Sequence, residues 1–229
     1  MSKLEETKRI WRKADAVCFD VDSTVLQDEG LDELASFCGM GKEVKEWTNK
    51  AMGGNISFRV ALRERLNIIR PSKDTLERFV AQHPSLFSKG LKELVSLLHQ
   101  KGISVYLVSG GFRAIIKSAA DELSISSDHI YANQLLFDES GSFSGFDENE
   151  PTSDSGGKKI VAQKLKEEKG HTTLVVIGDG ATDMEACPPA DAFIGYGGNV
   201  IRETVKQKAP WFVTDFTELI NELKTSNCC

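Results

Sequence analysis

Three short apolar runs in this chain each stop at a cluster of small and acidic residues. Ala16-Val17-Cys18-Phe19 leads into Asp20-Val21-Asp22-Ser23-Thr24, Val105-Tyr106-Leu107-Val108 into Ser109-Gly110-Gly111, and Leu174-Val175-Val176-Ile177 into Gly178-Asp179-Gly180. Apolar runs of strand length without polar alternation suit strands buried on both faces, as in a parallel sheet covered by helices. Ala192-Phe193-Ile194 and Trp211-Phe212-Val213 are further strand candidates. Helical patterns fall between them: over 91–101, after Gly110-Gly111 with Ile115 and Ile116 on the buried face, after Gly156-Gly157 in a charged segment containing Lys158, and over 216–223. This alternation predicts an α/β fold, a Rossmann-like parallel sheet with helices on both faces. Ligands of such sheets bind beyond the carboxyl ends of the strands, where these three motifs would converge. Strand-like runs within 130–146, around the turn Glu139-Ser140-Gly141, predict a small β-hairpin as well.

Residues 28–87 read differently. Leu31, Leu34, Ala35 and Cys38 fall at helical spacing, followed by Val44, Trp47 and Ala51, then Leu62, Leu66 and Ile69, then Leu76, Phe79 and Val80. The segment is expected to be a helical cap inserted into a core made of 1–27 and 88–229. A length of 229 residues, 40% of them hydrophobic, is enough for such a core and its insertion. The longest apolar runs are strand-sized, so no membrane span is read. Residues 1–12 are charged and lack the apolar centre of a leader. A cytoplasmic location is expected, or the plastid stroma if a transit peptide has been removed.

The formal net charge is −6, with acidic and basic residues interleaved. Without a basic stripe, nucleic acid is excluded as a partner, and individual Lys and Arg residues must meet any anionic substrate. Five cysteines fit neither a zinc site nor a disulfide framework and point to a reducing compartment. The terminal Cys228-Cys229 resembles a prenylation tail, but no GTPase motif accompanies it, and an exposed end is the simpler reading.

The strand ends can do chemistry together. Asp20 and Asp22 are two apart, a spacing that puts side chains on one side of a strand, although the loop starting here can turn them apart. Carboxylates so close repel until a proton or a cation relieves them; a pair of solvated acids fits this motif alone equally well. Asp179, in a glycine-flanked turn, can add a hard oxygen beside Asp20 in a set that suits Mg²⁺. Asp183 can hold a bound water or orient Lys158. An acidic turn with a helix cap at Asp179 or Thr182 is the competing reading. Ser109-Gly110-Gly111 reads as a strand-to-helix junction able to receive a phosphate, or as an ordinary Ser cap. Lys158 is either a cation for that phosphate or a solvated surface residue.

In order and spacing, Asp20-Val21-Asp22-Ser23-Thr24, Ser109, Lys158 and Gly178-Asp179-Gly180-x-x-Asp183 resemble the haloacid-dehalogenase-like phosphohydrolase superfamily. The inserted helices resemble its four-helix cap. Glu29-Gly30, Ala51-Met52-Gly53-Gly54, Phe58, Arg65, Ser109-Gly110-Gly111-Phe112-Arg113, Gly156-Gly157-Lys158 and 178–189 resemble, more narrowly, the eukaryotic phosphoserine phosphatase family, a likeness running over residues 14–223.

That resemblance implies hydrolysis of O-phospho-L-serine, the last step of the phosphorylated route to serine. Asp20 would become an aspartyl phosphate, with Asp22 as proton donor and then base. It implies Mg²⁺ on Asp20, Asp179 and the backbone carbonyl of Asp22, supported by Asp183. Ser109, Gly110, Gly111 and Lys158 would hold the phosphoryl oxygens. The cap would read the leaving serine: Glu29 its ammonium and Arg65 its carboxylate, with Met52 and Gly53 as wall and backbone contact. Thr182 and Arg202, with Phe58 and Asn199, would close the pocket. Read without the resemblance, Glu29 is a first-turn helix acid, Arg65 an arm of a helix-surface pair and Met52 a core residue.

Two rivals remain at this level. A receiver-like signalling module is also phosphorylated on a strand-end Asp, but needs no second Asp and no cap. A related phosphatase or phosphotransferase would share the chemistry and differ in substrate. His83, His99, His129 and His171 match no catalytic spacing, Cys187 reads as packing, and Trp11, Trp47 and Trp211 as core or seam aromatics. The expected partner is a small-molecule substrate; a homodimer stays open.

Overall fold

A computed structural model describes residues 1–51 and 56–225, with 49–51 in backbone alone. Among these residues the chain forms a six-stranded sheet and a separate two-stranded hairpin. The strands are β1 (Ala16–Phe19), β2 (Ser104–Phe112), β3 (Ile130–Asn133), β4 (Leu135–Phe137), β5 (Phe143–Phe146), β6 (Leu174–Gly178), β7 (Ala192–Tyr196) and β8 (Trp211–Val213). The large sheet runs β3-β2-β1-β6-β7-β8 and is parallel throughout. The α/β expectation is borne out. β1 lies at the point where the strand order reverses direction, the place where sheets of this kind open a crevice.

Strand alternation divides the core into two layers. Val17 and Phe19 of β1, with Val105, Leu107, Val175 and Ile177 of its neighbours, pack beneath the helices Leu91–Gln100, Arg113–Glu122 and Phe216–Thr225. Ala16 and Cys18, with Tyr106, Val108, Leu174 and Val176, face the helix Gly157–Glu168 through Val161, Ala162 and Leu165. All of these side chains are buried, which is why the strands read as unbroken apolar runs.

The helices Gly30–Phe37, Gly41–Ala51, Phe58–Ile69 and Lys73–Gln82 occupy the inserted segment and share a third apolar cluster. Leu34, Ala35, Val44, Leu62, Leu66, Leu76 and Phe79 fill it, together with Phe112, Ile115 and the hairpin residues Leu135, Phe143 and Phe146. The two connections to the insertion run side by side: Gln27 N–H donates to the Leu86 carbonyl at 2.9 Å, and Ser88 N–H to the Val25 carbonyl at 3.0 Å. Two differences from the sequence reading concern local elements. The run 130–133 joins the large sheet as its edge strand, so the hairpin is only β4–β5. β2 continues through Ser109-Gly110-Gly111 to Phe112, and the helix expected to open at the glycines starts at Arg113.

The N-terminal dozen residues, unremarkable as sequence, form the helix Lys3–Trp11. Ser2 caps it by accepting the Glu5 N–H at 3.2 Å. Trp11 is fully buried in the main core, and its indole N–H donates to the Leu219 carbonyl at 3.1 Å. Trp11→Ala is expected to cost about 3–5 kcal/mol. Chemical denaturation checks this; a loss under about 1 kcal/mol would mean that the helix is not part of the core.

Candidate active site

The strand register builds the crevice. Phe19 of β1 stands beside Leu107 of β2 and Ile177 of β6, so the next residues of all three strands emerge together. Asp20 N–H still donates to the Ile177 carbonyl at 2.9 Å, after which the chain leaves the sheet. It turns through 21–25, closed by Leu26 N–H on the Val21 carbonyl at 2.9 Å. Ser23 takes a left-handed backbone, φ 57°, at the tightest point.

This turn separates the two acids of the first motif. Asp20 accepts from Lys158 Nζ at 2.6 Å. Asp22 points the other way: its Oδ1 accepts the Gly30 N–H at 2.8 Å and its Oδ2 the Ser109 hydroxyl at 3.3 Å. Ser109 in turn accepts the Gly111 N–H at 2.8 Å. Ser109 therefore acts from the irregular end of β2, where the pairing register with β3 slips between Val108 and Phe112, and not as a helix cap. Gly110 lies against the cap, where a Cβ would approach Phe58 Cζ to 2.7 Å.

Lys158 also donates to Asp183 Oδ1 at 2.6 Å, and Asp183 Oδ2 accepts the Gly180 N–H at 3.0 Å. A Cβ on Gly178 would lie 2.2 Å from Asp183 Cγ, so only glycine lets that carboxylate fold back under the strand end. Asp179 accepts from Arg202 Nε at 2.7 Å and the Thr24 hydroxyl at 3.4 Å. Glu29 accepts from the Ser23 hydroxyl at 2.8 Å and Arg202 Nη2 at 3.4 Å. Arg65, half-buried on the helix Phe58–Ile69, donates Nε to the Ala61 carbonyl at 3.2 Å. Its guanidinium pKa is lowered by burial, opposed by the carboxylates of Asp32, Glu29 and Asp22.

The sequence reading is thus placed as follows. Asp20, Asp179, Asp183 and Lys158 meet directly, and Asp22 joins Ser109 at their side. Glu29, at the start of the helix Gly30–Phe37, is linked to the acidic group by Arg202, which also donates to Asp179. Thr182 is exposed on the short helix Ala181–Met184. Asn199 braces the turn, donating to the Ser23 carbonyl at 3.0 Å and to Ser88 Oγ at 2.6 Å. Met52 and Gly53 lie outside the described residues. Three contributors were not singled out: Ser23, Thr24 and Ser88. The first two adjoin the Asp-x-Asp motif, a local signal; Ser88, whose hydroxyl donates to the Thr24 carbonyl at 2.6 Å, carries none.

Asp20, Asp179 and Asp183 each bring a carboxylate oxygen within 4.8 Å of the others. Hard, buried oxygens in this number suit a divalent cation that prefers carboxylate, substrate and water ligands. The titration behaviour fits the same conclusion. Burial, then the Asp20 charge, pushes Asp179 up to about 6 and Asp183 up to about 7. Burial, then Glu29 and Asp20, pushes Asp22 up to about 7. Burial opposes the charge on Lys158, but Asp183 and Asp20 outweigh it and raise its pKa. The two cations, Lys158 and Arg202, leave the cluster short of positive charge.

A family model described as haloacid dehalogenase-like hydrolase matches residues 14–191. The chain belongs to the haloacid dehalogenase-like hydrolases. Among members of this family, the phosphoserine phosphatase of Bos taurus is 52% identical over 96% of this chain and 97% of its own length. The chloroplastic phosphoserine phosphatase of Arabidopsis thaliana is 50% identical over 96% of this chain and 75% of its own. A solved phospho-aspartyl intermediate analogue of phosphoserine phosphatase superimposes with a TM-score of 0.77 at 26% identity, covering 91% of this chain and 98% of that one. Haloacid dehalogenase-like hydrolases use a metal ion, and the buried acids here fit one.

The raised pKa values set a sign for stability. Unfolded carboxyls ionise near pH 4, whereas Asp22, Asp179 and Asp183 hold protons to about 7, 6 and 7 in the folded chain. Their contribution to stability is present below the unfolded values and is lost as pH rises through the folded ones. The metal-free melting temperature is therefore expected to fall between about pH 4 and pH 7. Added Mg²⁺ should shrink that fall and release protons, measured by calorimetry in two buffers. An identical pH profile with and without Mg²⁺ would contradict the cluster's role.

Proposed function

We infer that this chain hydrolyses O-phospho-L-serine to serine and phosphate, through an aspartyl phosphate on Asp20, as the final step of the phosphorylated route to serine. The observation that carries the reading is the convergence of Asp20, Asp22, Ser109, Lys158, Asp179 and Asp183 at one crevice under a helical insertion that holds Arg65 and borders Glu29. The 52% identity to a phosphoserine phosphatase along nearly the whole chain supports the substrate.

Asp20 attacks phosphorus with the oxygen not held by Lys158, and the serine oxygen leaves. Asp22, held between the Gly30 N–H and the Ser109 hydroxyl, protonates that oxygen; a pKa pushed up to about 7 suits a donor working near neutrality. The same carboxylate, now charged, takes a proton from the water that cleaves the aspartyl phosphate. Ser109, Lys158 and the N–H groups of Gly110 and Gly111 hold the phosphoryl oxygens. Asp183 keeps Lys158 aimed at Asp20. We assign the cation to Mg²⁺, which Asp20, Asp179 and the Asp22 carbonyl would hold and which, bound there, would offset negative charge on the phosphoryl group.

Residues 28–87 act as a cap that reads the leaving group. Glu29 pairs with the ammonium and Arg65 with the carboxylate. Arg202, which holds Glu29 and Asp179 at once, ties substrate reading to the acid cluster. Met52 and Gly53 form the wall, and Thr182 and Phe58 border the pocket. A receiver-like module has no use for a second acid or for a cap.

Asp20→Asn is expected to abolish turnover and phosphate trapping, and Asp22→Asn to slow turnover by roughly 10²–10⁴. Phosphate trapped on another residue of the Asp20 variant would refute the nucleophile. Arg65→Ala should raise KM for phosphoserine about tenfold or more while changing it little for an aryl phosphate that lacks a carboxylate. Equal losses on the two substrates, measured by phosphate release, would remove the carboxylate clamp.

A further inference from the structure

The helix Phe58–Ile69 presents three faces. Leu62, Leu66 and Ile69 enter the apolar cluster of the inserted helices, and Arg65 lies in the field of the crevice acids. The third stripe, Arg63, Asn67 and Arg70, is spaced by four and three residues and so lies along one side. It borders a cavity of about 420 Å³ whose opposite wall is the β4–β5 hairpin. That volume is in the range of small-molecule sites.

Among the described lining residues, Phe143 and Phe146 are buried in the apolar cluster, whereas Arg70 and Leu136 stay exposed. Arg63 is taken, with Nη2 2.6 Å from Glu148 Oε1. Arg70 is exposed and forms no ion pair among the described residues; its guanidinium carbon stands 5.9 Å from the centroid of Phe143. Arg70 also ends its helix in a left-handed backbone, φ 41° and ψ 55°, where glycine or asparagine is the usual residue. On the hairpin, Leu136 stays 40% exposed although it lines the cavity. The pairing register slips between Leu136 and Phe137, leaving Ser144 as the extra residue of a bulge on the same wall.

We propose that this cavity between the cap helix and the hairpin is a second ligand site, which takes a small monocarboxylate with a flat apolar body. The carboxylate meets Arg70, and the body lies on Phe143 and Leu136. Among the described residues lining the cavity, Arg70 is the cation without an ion pair and matches one negative charge, since Arg63 pairs with Glu148. The site is separate from the acid crevice and does not depend on the phosphatase reading.

The test is a titration of the ¹⁵N-labelled full chain with 2-naphthoate, in saturating inorganic phosphate to occupy the crevice. Wild type is compared with Arg70→Asn, which keeps a residue suited to the left-handed backbone, and with Leu136→Glu, which places a negative charge on the cavity wall. Saturable amide shifts at Asn67, Ser144 and Gly145 are expected, with affinity reduced about tenfold in both variants and phosphoserine turnover unchanged. Absence of saturable binding, shifts confined to residues near Asp20, or equal affinity in wild type and both variants would overturn the proposal. Self-association in the ultracentrifuge that Leu136→Glu abolishes would assign the face to a second copy, and would overturn it as well.

Discussion

Carboxylates crowded into a buried crevice repel one another. Two unit charges 4.8 Å apart, the outer spacing within the Asp20, Asp179 and Asp183 group, cost about 3–4 kcal/mol at an effective dielectric near 20. The crest of the sheet is organised around managing that repulsion. Lys158 bridges Asp20 and Asp183, Arg202 bridges Asp179 and Glu29, and Asp22 is turned aside onto a backbone N–H and a hydroxyl. Burial first, and then that repulsion, raises the pKa values of Asp22, Asp179 and Asp183. A divalent cation is the remaining charge that such a group needs, and a phosphoryl group is the anion that cation and Lys158 can then receive.

The fold makes this arrangement affordable. β1 is a central strand with neighbours on both sides, so its end cannot drift. Glycines sit where backbone or side chain must approach closely: Gly178 under the Asp183 carboxylate and Gly110 against Phe58. The chain leaves the sheet after Asp20 and turns through 21–25, and Asp20 and Asp22 face different partners, Lys158 and the Gly30 N–H. The inserted helices meet the strand ends through Phe58 and Gly30 and share their apolar cluster with Phe112 at the end of β2 and Ile115 on the helix that follows.

Much of this was legible because it is local. Buried parallel strands announce themselves as unbroken apolar runs, and the ends of those runs locate the ends of β1 and β6, whereas β2 continues past its run to Phe112. Asp20, Lys158 and Asp179 could be named because each sits at such an end or just after a glycine pair, and Asp183 because it follows in the same Gly178-Asp179-Gly180-x-x-Asp183 motif. What escaped is set by contacts between distant segments. Nothing near Arg202 says that its guanidinium spans Asp179 and Glu29, and nothing near Ser88 or Asn199 says that they brace the Ser23 turn. Ser109 admitted a cap reading beside the phosphate-binding one because two glycines usually end a strand; here β2 runs through them, with an irregularity in its pairing with β3. The N-terminal helix was hidden because its charged surface dominates the sequence, while few of its residues dock it, chiefly Trp11 with Thr7 and Ile10.

The most direct measurement is anomalous diffraction from crystals grown with Mn²⁺ in place of Mg²⁺. One peak is expected at the ends of β1 and β6, bound by carboxylate oxygens of both Asp20 and Asp179, with Lys158 still beside Asp20. A peak that leaves out either carboxylate, or no peak in the crevice at saturating metal, would contradict the idea that these buried acids are gathered to share one ion.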